Sequence, residues 1–468
     1  MANEAGIAVD AVAVPFVAQG HIIPFMRLCQ LLASKHHLTI ALLTNPTNAK
    51  RLRAIQNDAC SSSSSLQIID IPLPPSAVLE STDQLLPSQR ATLYATIEQM
   101  KPSFTHLLTQ LRPKCLIADF SPIYLPELAD ELEIPVFFYI TTGAYAFSML
   151  HALANSFPFP LPADHTAGVR LLTSFPKPVS FTNSDILPPF RGAGRTGIPY
   201  DLFSRHFGQI RRSQGVVMNT FEEMEMGFVD HVQSSFGVPA WSVGPVLNTH
   251  SADFEEGGVK DWLDHRDPGS VVYVNFGSEI VLSGEQREEV AAGLEASGQC
   301  FLWAVKNPPG DEGLQSAVLQ QGFRERTADR GMVVTGWAPQ QAILSHSSVG
   351  GFLSHCGWNS TLESISNGIP MLAWPFQYDQ SFVKKLLVEE LRVAEEIKRE
   401  PVGNDVFIVT SAEIERAVRL LIEGKEGRDM RRRACELKEA AIRAVGEGGS
   451  SFNNVEKFVS LIHNIQTK

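Results

Sequence analysis
Apolar runs of strand length alternate with stretches of helical spacing through most of the chain. Ile7 to Pro15 reads as a buried strand, Ile22 to Ser34 carries apolar residues at helical intervals, and Leu38 to Thr44 returns to strand. Gln19-Gly20-His21 is expected to form the turn between the first two. Strand, turn, helix and strand in this order predict a right-handed crossover and a parallel sheet. Cys115 to Ala118 and Pro135 to Ile140 supply further strands, delivering Asp119 and Thr141 at their C-terminal ends. Ile134 to Ala154 is free of formal charge and long enough to suggest a membrane span. Thr141-Thr142-Gly143 divides it, so a buried strand followed by a buried helix is expected instead. Val216 to Asn219 and Ala240 to Val243 close the first half.

The plan then repeats. Gly244 to Gly258 is polar and rich in turn residues, the composition of an interdomain linker. Ser270 to Phe276 follows as a strand, Ser283 to Ser297 as a helix and Cys300 to Val305 as a strand. Helical spacing returns at Ser411 to Glu423 and Arg428 to Val445. Gly446 to Ser451 reads as a flexible run before a last amphipathic helix, Phe452 to Ile465. The expected division is a first domain at 1–243, a linker at 244–258, a second domain at 259–445 and a terminal helix at 446–468. Periodicity fails in the serine run Ser61 to Ser65, in the extended Ile71 to Pro75, and from Phe157 to Arg195. The last is either a ligand-facing loop or a packed surface excursion, and the sequence does not choose.

A chain of 468 residues exceeds one ordinary core, in keeping with two domains. Its net charge of −12 argues against a nucleic-acid binder or a basic membrane-surface protein. A doubly charged nucleotide would therefore have to be held by local donors. Six scattered cysteines without a CxxC pair fit the reduced thiols of a cytoplasmic protein. The first residues carry Glu4 and Asp10 and no basic segment, so no signal peptide is expected.

Candidate chemistry concentrates between Trp337 and Gln380. Val349 to Ser354 is a short buried strand, and His355-Cys356-Gly357-Trp358 turns the chain, Gly357 permitting a close approach. Asn359 and Ser360 are good caps for a helix that runs to about Asn367 and stops at Gly368 and Pro370. The start of such a helix offers N–H groups and the positive end of a dipole, a ready phosphate site. The strand Ile369 to Trp374 then brings Asp379 and Gln380 to another C-terminal strand end, where open parallel sheets bind ligands. Ser360-x-x-Glu363 also fits a capping box. That reading explains a helix start but not two Trp, a His, an Asn, an Asp and a Gln on the loops.

The intact HCGWNS, with Trp337, Gln340, Glu363, Gly368, Pro370, Pro375 and the closing Asp379-Gln380, resembles the plant secondary product glycosyltransferase box of the family 1 UDP-glycosyltransferases. Pro15-x3-Gln19-Gly20-His21-x2-Pro24-x3-Leu28 is similar to the N-terminal motif of the same family. The resemblance implies an α/β GT-B fold: two Rossmann-like parallel-sheet domains facing across a cleft, with a C-terminal helix crossing back to the first. It implies that His21 is the catalytic base, and that Asp119 orients its ring. It places Trp337 against uracil, Glu363 on the ribose hydroxyls, and Ala338 and Gln340 beside base and ribose. His355, Asn359 and Ser360 would meet the diphosphate, Trp358 would wall the pocket, and Asp379 and Gln380 would bind sugar hydroxyls. Gly277-Ser278, after the strand Val271 to Phe276, looks like a second phosphate contact, and Thr141 like a contact to the sugar's outer hydroxyl.

The implied reaction is inverting transfer from a UDP-sugar, UDP-glucose being favoured by Gln380, to a hydroxyl of a small plant-type acceptor such as a flavonoid, another phenolic or a hormone. The same base could serve attack by a polyphenol ring carbon, which makes a C-glycosyltransferase the alternative; no residue separates the two. Without DxD, HExxH or CxxC, a metal-independent reaction with no cofactor beyond the UDP-sugar co-substrate is expected. The expected protein is a cytoplasmic monomer without a membrane span or nucleic-acid partner. A GxGxxG at Gly192, Gly194 and Gly197 lacks the preceding strand that a dinucleotide-binding oxidoreductase requires. A hydrolase elbow, GxSxG, is missing too. A mere sugar-nucleotide binder would have no need of His21 and Asp119.

Overall fold
The computed structural model describes residues 9–58, 65–74, 82, 89–156, 170–172, 174–181, 185, 198–247, 254, 258–306, 322–401 and 407–466. The chain folds into two compact units, one of Met1–Leu247 with Arg443–Lys468 and one of Asn248–Ile442.

In the first unit, strands Ala11–Val14 (β1), Ile40–Thr44 (β2), Leu66–Asp70 (β3), Cys115–Ala118 (β4), Val136–Ile140 (β5), Gly215–Met218 (β6) and Ala240–Ser242 (β7) form one sheet. Their order is β3-β2-β1-β4-β5-β6-β7, every pairing parallel. The central strands are buried on both faces, which is why they read as unbroken apolar runs. Strand order reverses between β1 and β4, and at such a reversal the loops leaving the strands part to leave a crevice.

The helix after β1 differs from expectation in a way that matters. It spans Gln19–His36 (α1), with extended Ala18 as its cap, so His21 lies inside the first turn and not on a preceding loop. Residues of a first turn need no intrahelical N–H partner, so Gly20 is tolerated there. The charge-free run divides as expected, into β5 and the helix Ala144–Ser156 (α2). The buried Glu225 carboxylate accepts the Ala144 and Tyr145 N–H groups at 2.8 Å each and so caps α2. No helix among the described residues is long and apolar enough to cross a membrane.

The second unit repeats the plan with Val271–Asn275 (β8), Cys300–Val305 (β9), Gly331–Thr335 (β10), Val349–Ser354 (β11), Met371–Ala373 (β12) and Ala394–Glu396 (β13). The order is β10-β9-β8-β11-β12-β13, again all parallel, with its reversal between β8 and β11. The helix Gly284–Ser297 (α3) is capped by Ser283, whose hydroxyl accepts the Gln286 N–H at 3.2 Å. The helix after β11 spans Trp358–Ser366 (α4), and its cap is Gly357. Thr361 N–H already bonds the Gly357 carbonyl at 2.9 Å, so Asn359 and Ser360 belong to the first turn and neither is the cap. The capping box does not form; the Glu363 side chain turns to Gln340 instead.

After helices Ser411–Glu423 (α5) and Lys425–Val445 (α6) the chain returns to the first unit as Ser450–Asn464 (α7). The glycine-rich junction is a tight turn where a flexible run was expected. Gly449 N–H bonds the Gly446 carbonyl at 2.9 Å, and a Cβ at Gly449 would lie 2.1 Å from the Arg443 carbonyl oxygen. Val455, Phe458, Val459 and Ile462 of α7 complete the first core beside Phe137 and Trp241. Gly244 to Leu247, the opening of the expected linker, are bound into this unit through Thr220 and Asn219. Residues 248–253 and 255–257 of that linker lie outside the described residues, as do 61–64, Pro75, most of 157–195, and Gly192, Gly194 and Gly197.

Candidate active site
At the first reversal β1 pairs with β4 in the register Val14↔Ala118, which sets Asp119 beside the loop that leads into α1. Asp119 is buried, and three donors converge on its carboxylate. Oδ2 accepts the Phe16 N–H at 3.0 Å and lies 2.8 Å from His21 Nδ1, while Oδ1 accepts the Phe120 N–H at 2.7 Å. An Nδ1–H directed at the carboxylate leaves Nε2 with its lone pair, the tautomer a general base needs. The His21 side chain is 25% exposed, so that face is reachable. Thr141 Oγ1 is also within 2.9 Å of Nδ1, which places Thr141 on the histidine ring.

Aromatic rings frame this pair. Phe16 meets His21 edge-on at 5.4 Å, Phe120 packs at 5.3 Å, and Tyr94 stacks on Phe16 at 6.0 Å. Beyond Phe120 lies His206, enclosed by Phe138 and Phe147. Burial pulls His206 down to about 4, so it is neutral at neutral pH and only a weak proton acceptor.

At the second reversal a polar network joins four elements. Asn275, at the end of β8, accepts the Gly277 N–H at 2.9 Å and donates to Gln340 Oε1 at 3.0 Å. Gln340 Nε2 donates to Ser360 Oγ at 3.0 Å and to Glu363 Oε2 at 2.8 Å. Both amide hydrogens of Gln340 are thus used within the protein, and its side chain holds Ser360 and Glu363 in place. Trp337 follows Gly336 (φ 90) and is 71% exposed, whereas Ala338 beside it is buried.

His355 is wedged between glycines. A Cβ at Gly277 would lie 2.6 Å from His355 Nε2, and one at Gly357 would lie 2.4 Å from it. Burial pulls His355 down to about 4, leaving it a neutral hydrogen-bonding group. Cys356 beside it takes φ 64, a left-handed conformation uncommon for a side-chain-bearing residue and frequent at ligand sites. Trp358, Asn359 and Ser360 form the opening of α4, where the dipole is positive. The Ser278 carbonyl accepts from Lys306 Nζ. Past β12, Gln380 Oε1 accepts the backbone N–H groups of Phe376 and Gln377 at 2.9 Å each. Its oxygen is engaged in its own loop, so hydrogen-bond donation through the amide N–H groups is the chemistry left to Gln380. Asp379 precedes it, partly exposed, without capping the following helix. Among the described residues, no three His, Cys, Asp or Glu side chains are grouped to hold a metal ion.

Residues 247–432 match the family model described as UDP-glucoronosyl and UDP-glucosyl transferase. The chain is 33% identical to UDP-glycosyltransferase 73C3 of Arabidopsis thaliana, over 94% of this chain and 93% of that relative. The chain belongs to the family 1 UDP-glycosyltransferases. Its fold agrees with that of Phytolacca americana UGT2, solved with UDP-2fluoro-glucose and pterostilbene, at a TM-score of 0.84 and 31% identity, covering 98% of this chain and 100% of that one. Glycyrrhiza uralensis UGT73P12, solved with glycyrrhetinic acid 3-O-monoglucuronide, gives a TM-score of 0.88 at 27% identity over 98% and 96%.

Sequence reasoning about this UDP-glycosyltransferase missed several members of both sites. Asn275 was legible in principle, as the polar residue ending the apolar VVYVN of β8. Phe16, Tyr94 and Phe120 were not, because an aromatic side chain near a strand end is most often core. The contact of Thr141 with His21 depends on β5 lying next to β4, and no local pattern reports that.

Proposed function
We propose that the enzyme transfers glucose from UDP-glucose to a hydroxyl of a small aromatic acceptor with inversion, His21 acting as general base. The observation that carries this reading is the 2.8 Å contact of His21 Nδ1 with the buried Asp119 carboxylate. His21 Nε2 takes the acceptor proton, and the acceptor oxygen bonds to the anomeric carbon as the bond to the phosphate oxygen breaks. UDP leaves from the opposite face, and an α-linked donor yields a β-glucoside. Asp119 stabilises the imidazolium that forms. Phe16, Tyr94 and Phe120 suit a flat acceptor that stacks beside the base.

In the same reading, uracil stacks on Trp337, Glu363 accepts from the ribose hydroxyls beside Ala338 and Gln340, and Trp358 walls the pocket. The diphosphate meets His355, Asn359, Ser360 and Ser278. Because His355 is neutral, relief of the leaving charge falls on its N–H and on the dipole of α4. Asp379 and the Gln380 amide hold the sugar. Thr141 serves His21 or the sugar's outer hydroxyl, and no metal takes part.

The test is a UDP-release and product-mass assay with UDP-glucose and a panel of flavonoids, hydroxycinnamates and small hormones, EDTA present throughout. Acceptor-dependent UDP release with a hexose mass gain is expected for the wild type, and His21→Ala is expected to lose both while still binding UDP. Full activity in His21→Ala overturns the mechanism. A product that resists acid and β-glucosidase would show carbon in place of oxygen as the nucleophile.

A further inference from the structure
The Gly277–Glu279 turn leaves β8 and the Phe376–Gln380 loop leaves β12, and these two strands flank β11. One side chain spans them. Glu279 Oε2 accepts from Gln377 Nε2 at 3.2 Å and from the Tyr378 hydroxyl at 3.3 Å. Each end of this link is anchored. Gly277 (φ 77) lies against the His355 ring, and the next carbonyl, that of Ser278, is held by Lys306. On the far side Gln380 Oε1 gathers the Phe376 and Gln377 N–H groups.

Between the anchors sits Tyr378, with φ 56 and 42% of its surface exposed. A left-handed backbone is unfavourable for a bulky residue and persists where its neighbours enforce it. So exposed a side chain is not held by burial, which leaves its polar contacts, the bond to Glu279 among them.

We infer that Glu279 is a positioning residue for the sugar end of the donor. It fastens the loop that presents Asp379 and Gln380 to the turn that presents Ser278, and so sets sugar contacts relative to diphosphate contacts. This rests on the donor-site reading above. The consequence is selective: UDP meets the turn, His355, α4 and the Trp337–Gln340 segment, whereas UDP-glucose also needs the fastened loop.

Calorimetric titration of UDP and of UDP-glucose, without acceptor, tests this in wild type, Glu279→Ala and Glu279→Gln, with thermal unfolding as a fold control. Glu279→Ala is expected to weaken UDP-glucose binding about tenfold while leaving UDP within about twofold. Glu279→Gln is expected to restore it, since the amide oxygen can accept the same two bonds. Equal loss for both ligands would mean general loosening and overturns the inference. So would no change in Glu279→Ala, or a Glu279→Gln variant as weak as Glu279→Ala. Trp337→Ala, titrated alongside, isolates the underlying reading: undiminished UDP affinity there would overturn the donor site itself, whatever the Glu279 variants do.

Discussion
The two units carry the same device at the same topological place, a histidine shortly after a strand beside a sheet reversal, yet the two histidines are chemically opposite. His21 has a buried carboxylate 2.8 Å from Nδ1 and an exposed face. His355 has glycine backbone on both sides and the Ser354 hydroxyl 3.5 Å from Nδ1, and burial pulls it down to about 4. One environment suits taking a proton and the other suits giving a hydrogen bond without changing charge. A histidine at a strand end is therefore no assignment in itself; the group on its other nitrogen and its access to water decide the role.

The largest effects should break the first half of this comparison. His21→Ala is expected to lower turnover roughly 10²–10⁴-fold with UDP affinity unchanged. Asp119→Asn, which removes the charge and the enforced tautomer, should fall in the lower part of that range, and steady-state kinetics beside UDP titration check both. A drop in UDP affinity that matched the loss of turnover would mean collapse of the fold.

The second half predicts a binding defect. His355→Ala should weaken UDP-glucose binding about 10- to 100-fold, the worth of a charge-assisted hydrogen bond to phosphate. In the wild type that affinity should stay flat from about pH 8 to about pH 5.5, because a group pulled to about 4 remains neutral there. Tighter binding on acidification in this window would reveal an imidazolium at His355 and erase the contrast with His21.

Stability offers a smaller handle. His206 and His355 are both pulled from 6.5 to about 4 by burial. The unfolded chain takes up these protons near pH 6.5 and the folded chain only near pH 4, so stability should fall as pH drops between those values. Urea midpoints at pH 7 and pH 5 measure this, and His206→Phe should reduce the difference; an unchanged pH dependence would show that His206 is protonated in the folded state. The smallest effect concerns the donor. Gln380→His should shift the glucose-to-galactose ratio by about 2- to 10-fold in competition assays, and an unmoved ratio would remove Gln380 from sugar selection.

Much of this was legible in the sequence because buried parallel strands announce themselves. AVAV, CLIA and VFFYI are apolar without alternation, since both faces are covered. The edge strands of the second sheet were not legible: β10 is only half-buried along its length, and β13 is the short AEE. The start of α4 was misplaced because Asn359 and Ser360 have the side chains that favour a cap, while the backbone at Gly357 took the position. Glu363 looked equally fit for the cap and for a ligand, and only its bond to Gln340 removed the first option.

Local sequence laid out the repeated parallel plan, the helices and strands that carry the box, and the positions of His21, Asp119, His355 and Gln380 beyond apolar strands. Local periodicity suffices for that, because burial recurs at fixed spacing along each element. The tertiary structure alone decided which of these groups meet. His21 and Asp119 stand 98 residues apart and are joined by the adjacency and register of β1 and β4. Glu279 and Gln377, also 98 residues apart, are joined across the loop that follows β11. Strand order is a choice among global packings, and proton affinity follows from the burial that packing creates, so neither is written in any single stretch of the chain.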